Sequence, residues 1–88
     1  MGYDLSVIDK STSAIFLFDG YKLRTRAKEN AFVAAVGDLK QGEILRLFTD
    51  HNPFDLIRKI VIRYGSKLIF QYLHNHEGVV VIDFKKVG

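Results

Sequence analysis

The chain contains no cysteine. That excludes thiol nucleophiles, disulfide exchange and thiolate metal ligation, and it fits a reducing compartment. Long apolar runs are absent too. Uncharged apolar runs such as Ala14 to Phe18 and Val79 to Ile82 are strand-sized, far short of the roughly 20 residues that a membrane helix needs. The amino terminus has neither a basic n-region nor an apolar signal core, so a cytoplasmic protein with no membrane partner is expected. There is no repeat, low-complexity stretch or linker. No glycine-rich phosphate loop is present. Ser6, Ser11, Ser13 and Ser66 lack a nucleophile-elbow motif, and no carboxylate pair has a spacing suited to acid–base work. A non-enzymatic protein without a cofactor is the expectation.

What the sequence does contain is enough for one small folded unit. Its 88 residues form a single domain, residues 1–88, and 48% of them are hydrophobic, too many for a disordered chain. A domain of this size buries only about two-thirds of its unfolded-chain surface, so the core must be thin. The net charge of +3 permits anionic partners without requiring them.

The periodicity of apolar residues changes along the chain. Tyr3, Leu5 and Val7 alternate with Asp4 and Ser6, the pattern of an N-terminal strand, and Lys10 to Ser13 reads as a turn. Ala14 to Phe18 predicts a buried strand that stops at Asp19-Gly20. Ala31, Phe32, Ala35, Val36 and Leu39 then fall at helical spacing, with Thr25 as N-cap, Gly37 weakening the final turn and Lys40-Gln41-Gly42 closing the helix. Ile44, Leu45, Leu47 and Phe48 predict a second strand.

A second helix is announced by Asn52 as N-cap, Pro53 in its first position and Asp55 near its positive end. Its buried face is Leu56, Ile57, Ile60, Val61 and Tyr64, and Gly65 stops it. Leu68 to Leu73 and Val79 to Phe84 predict a hairpin turning at His74 to Gly78. Phe16, Phe18, Phe48, Phe70 and Phe84 are assigned to the core. The fold class is therefore α/β (α+β): a two-layer βαβαββ sandwich with a mixed four-stranded sheet, two helices on one face and an extra strand at the amino terminus.

Three segments carry a family likeness: Asp19-Gly20-Tyr21-Lys22-Leu23-Arg24-Thr25, Gly42-Glu43 and Asp50-His51-Asn52-Pro53. With the element order, they make residues 14–86 resemble the TusA/SirA-like sulfur-carrier superfamily. In that family a strand ends in Asp-x-x-Gly-Leu-x-Cys-Pro-x-Pro, and a Gly-Glu turn and an Asp-x-Pro follow. The resemblance implies the βαβαββ fold and a helix-1 end that meets partner proteins. Counting back from Gly42-Glu43 puts the family's cysteine at Thr25 and its prolines at Arg26 and Lys28. The persulfide chemistry implied by the family does not carry over, because a threonine oxygen forms no persulfide. The Asp-His-x-Pro spelling is similar to a cysteine-less branch of the same superfamily.

Two constellations remain as candidate sites. Lys22, Arg24, Arg26 and Lys28 place four cations around the start of the first helix, next to Thr25. They read either as a solvated loop or as a site for an acidic partner protein, RNA or another phosphate-bearing anion. A monomer or weak dimer would present them. His51, His74 and His76 come to one edge of the sheet if the first three strands are parallel, giving a possible metal site. Asp50 is assigned to capping the second helix with Asn52 in preference to orienting His51. Glu29, one position late for a capping box with Thr25, is expected to pair with nearby basic side chains.

Overall fold

The computed structural model describes residues 14–21 and 25–88. Its elements are β1 (Ile15–Asp19), α1 (Arg26–Gly37), β2 (Ile44–Thr49), α2 (Phe54–Tyr64), a short 3-10 turn (Gly65–Lys67), β3 (Leu68–His76) and β4 (Val79–Lys86). The four-stranded sheet has the order β1-β2-β4-β3. β1 runs parallel to β2, and β4 is antiparallel to both β2 and β3. β3 is therefore parallel to β1 and β2, and the carboxyl ends of all three strands share one edge. The expected N-terminal strand lies outside the described residues.

One face of the sheet carries the core. Leu45 and Leu47 of β2 and Val80, Ile82 and Phe84 of β4 pack with Phe32 and Val36 of α1 and Leu56, Ile57 and Ile60 of α2. Both helices thus cover the same face, as a two-layer sandwich requires. Phe32 and Phe84 are the largest fully buried side chains among the described residues. The Phe32 ring meets Phe18 edge-on at 5.0 Å and Phe84 at 5.2 Å, fastening α1 to two strands at once. The two helices are joined by Tyr64, whose hydroxyl donates to the Val33 carbonyl at 3.1 Å. A Cβ at position 37 would sit 2.8 Å from that hydroxyl. Gly37 therefore makes room for the contact between helices, in addition to weakening its own helix.

Several sequence expectations shift for physical reasons. Asn52 does not cap α2; the N-cap is Pro53, with no side-chain cap bond. Instead Asn52 Oδ1 accepts a 2.6 Å hydrogen bond from the Tyr72 hydroxyl, which competes for the same oxygen. Val61 lies off the buried stripe and is 44% exposed. The hairpin is tighter than expected: β3 continues through His76, and Glu77-Gly78 alone makes the turn. Gly78 adopts φ 82°, a value a β-carbon disfavours. Of the five strand phenylalanines, Phe84 is buried and Phe18 packs against the core. Phe16 and Phe70 sit on edge strands and stay about half exposed, and Phe48 points to the opposite face with Arg46 and Ile44.

Among the described residues that opposite face carries no helix. At its centre Arg46 and Asp83 pair through two hydrogen bonds of 2.8 and 3.0 Å. They face each other across the β2–β4 register, and the bond to Asp83 raises the affinity of Arg46 for its proton. Among the described residues no helix is long and apolar enough to cross a membrane.

Removing the Phe32 ring should cost far more than removing an exposed apolar side chain. Phe32→Ala is expected to lower stability by about 3–5 kcal/mol, whereas Ile62→Ala, at a position 76% exposed, should stay within about 0.5 kcal/mol. Urea denaturation of the two variants beside the parent chain measures the difference.

Candidate functional site

Both helices begin at the sheet edge where β1, β2 and β3 end. β1 stops because Gly20 is pressed against β2. Its N–H donates to the Phe48 carbonyl at 2.6 Å, and a Cβ there would lie 2.5 Å from a Leu47 methyl. Asp19 then turns the chain by accepting the Tyr21 N–H at 3.1 Å. Thr25 has extended backbone, φ −93° and ψ 146°, and its hydroxyl accepts the Lys28 N–H at 3.1 Å. It is a true N-cap, and it is exposed.

Of the candidate cations, Lys22 and Arg24 lie outside the described residues. Arg26 is exposed and forms no ion pair with the described residues. Lys28 is half-buried, and its ammonium donates to the Tyr21 carbonyl at 3.0 Å, closing the loop that precedes α1. Lys28 thus has a structural task whatever else it does. Glu29 pairs with Lys59 of α2 at 3.5 Å, in keeping with the expectation that it would find a basic partner.

At the start of α2, Asp50 Oδ1 lies 2.7 Å from His51 Nδ1, so the carboxylate orients the imidazole, the role that the sequence reading ranked second. His51 lines a cleft of about 280 Å³ with Glu29, Pro53, Phe54 and Asp55. The edge is thus mixed in charge. Asp19, Glu29, Asp50 and Asp55 share it with Arg26 and Lys28, and Glu29 and Asp50 are each engaged by a neighbour.

The strands are parallel as the histidine argument required, yet the three rings are not gathered. His74 and His76 stack on β3 with ring centroids 4.3 Å apart. They stand opposite Val81 and Val79, on the face away from the helices. His51 is held by Asp50 at the mouth of the α2 cleft. Among the described residues no group of three or more histidine, aspartate or glutamate side chains is arranged to hold a metal ion.

Sequence reasoning missed Phe54, which is 69% exposed and stands on this edge with Tyr21, 41% exposed. A signal for Phe54 was present. At about 100° per residue, position 54 falls beside Val61 and off the Leu56-Ile60-Tyr64 stripe.

A family model described as an uncharacterized conserved protein, DUF2249, matches residues 18–86. The chain belongs to the DUF2249 family. No curated protein and no solved structure matches it. The match begins at Phe18 and spans the whole edge just described, so the DUF2249 domain includes Thr25, Arg26, the Asp50–His51 pair and the aromatic Tyr21 and Phe54.

In this DUF2249 domain the Thr25 hydroxyl caps a helix, and its loss should be measurable as such. Thr25→Ala is expected to destabilise the domain by about 1 kcal/mol, while Thr25→Ser should recover most of that. Thermal and urea unfolding of both variants give the comparison.

Proposed function

We propose that this DUF2249 domain is a non-enzymatic docking module that binds an acidic partner protein through the edge where α1 and α2 begin. The observation that carries the reading is the exposure of Tyr21 and Phe54 on the same edge as Arg26, whose guanidinium is unpaired among the described residues. Large aromatics and arginine are the side chains that dominate protein–protein interfaces. The core holds α1 and the Tyr64–Val33 hydrogen bond ties α2 to it, so Arg26 and Phe54 are held in place and little ordering of the two helix starts is needed on binding.

The resemblance to the TusA/SirA-like superfamily supports the same edge, since there the corresponding helix end meets partner proteins. Thr25 stands where that family has its sulfur-bearing cysteine. Under this reading the domain keeps the docking surface and does not carry persulfide, which suits an accessory role in sulfur trafficking or redox regulation. The run Lys22, Arg24, Arg26 and Lys28 supplies the attraction for an acidic partner.

The test is affinity capture from native extract with the parent chain and with Arg26→Glu and Phe54→Ala. The expected result is one acidic protein retained by the parent chain. Each variant should retain it at least about tenfold less well, with unfolding midpoints showing that both variants remain folded. Equal retention by Arg26→Glu contradicts the proposal. Capture of RNA instead, with affinity falling steeply with salt, would assign the edge to phosphate binding.

A further inference from the structure

We propose that His74 and His76 form a two-imidazole chelate for one divalent transition-metal ion of the nickel or copper class. A break in strand pairing creates the pair. From Leu68↔Lys86 to Tyr72↔Ile82 the register of β3 on β4 is even. Carried on unbroken, it would set His74 opposite Val80, which is buried in the core, and residues directly opposite share a face. Instead the register shifts by one between Tyr72 and His74, so that His74 stands opposite Val81 and His76 opposite Val79. Both imidazoles are thereby turned to the face away from the helices, where they are exposed. Re-aiming side chains is what a bulge does, and it disrupts the ladder locally.

Reaching water requires only that the imidazoles leave the core. It does not require that they converge. Residues two apart on a strand have Cα atoms about 6.6 Å apart, yet the two ring centroids lie 4.3 Å apart with the planes tilted by 37°. Among the described residues neither ring has a hydrogen bond or an ion pair, so no other polar group draws them together. The spacing fits a shared ion. With metal–nitrogen bonds of about 2.05 Å, imidazoles on adjacent positions at 90° have centroids about 4.5 Å apart, and at a tetrahedral angle about 5.2 Å. The observed separation is close to the first value. Right-angled imidazole pairs belong to nickel and copper, whereas zinc favours the tetrahedron.

The surroundings suit a cation. The cross-strand neighbours Val79 and Val81 are uncharged. On the same face Arg46 is occupied by Asp83 through two hydrogen bonds. His51 is held by Asp50 and stays apart from the pair. Among the described residues no third histidine or carboxylate joins the two rings, so the other positions on the ion belong to water or to a donor on a bound molecule.

Calorimetric titration of the full chain, carrying no histidine tag, with nickel and copper chlorides tests the proposal. One ion per chain is expected, copper binding tighter than nickel and nickel tighter than zinc. His74→Ala and His76→Ala should each weaken binding at least about tenfold, since each leaves a single donor. Both positions are exposed, so the metal-free unfolding midpoints should stay near that of the parent. His51→Ala should bind as the parent does. Absence of saturable nickel or copper binding overturns the proposal, as does binding that survives either β3 substitution. Loss of binding in His51→Ala, one ion per two chains, or zinc binding tightest contradicts it equally.

Discussion

The arrangement depends on one side chain being held from two sides. Phe32 projects from α1 between Phe18 of β1 and Phe84 of β4, meeting both rings edge-on. Edge-to-face contacts of this kind add about 0.5–1.5 kcal/mol beyond simple burial, and they constrain direction as well as distance. With the ring fixed, the helix cannot slide along the sheet. Its first turn is therefore kept at the edge where the parallel strands end. Tyr64 and the Glu29–Lys59 pair then tie α2 to α1. The surface built from the two helix starts is thus a consequence of core packing. Its loops contribute exposure, and the core contributes position.

Much of this is legible in the sequence because the physical signals are local. Thr25 precedes a helical stripe and accepts the Lys28 N–H, as an N-cap should. Leu56, Ile57 and Ile60 recur at helical spacing and are buried. Asp19-Gly20 ends β1 because only a residue without a side chain fits against Leu47. The parts that were not legible involve competition between distant groups. Asn52 has the right chemistry for a cap, but Tyr72, twenty positions away, takes its oxygen. His74-Asn75-His76 looks like a turn by composition, and pairing with β4 draws it into the strand. Strand phenylalanines look like core by hydropathy, yet residues on an outer strand have a neighbour on one side only, so Phe16 and Phe70 remain about half exposed.

The candidate site was legible in outline and different in character. A run of cations suggested a uniformly basic helix start. Acidic residues from β1, α1 and the β2–α2 connection share that edge, and Lys28 is drawn into closing the loop. The Asp50–His51 contact joins two neighbours in sequence, and the sequence alone favoured helix capping as the task of the carboxylate. Aromatic exposure decided the functional reading, and for Phe54 it comes from helical phase rather than from residue type. Membership in DUF2249 covers the same residues and leaves their task to be read from this geometry.

The account stands or falls on which end of the domain meets another protein. A photo-crosslinking amino acid placed in turn at position 54, at the shared helix start, and at position 66, in the exposed 3-10 turn at the far end of α2, tests this directly in native cells. A single discrete adduct from position 54 and none from position 66 is the predicted result. An adduct from position 66 alone, or none from position 54 in cells that make the folded domain, would contradict it.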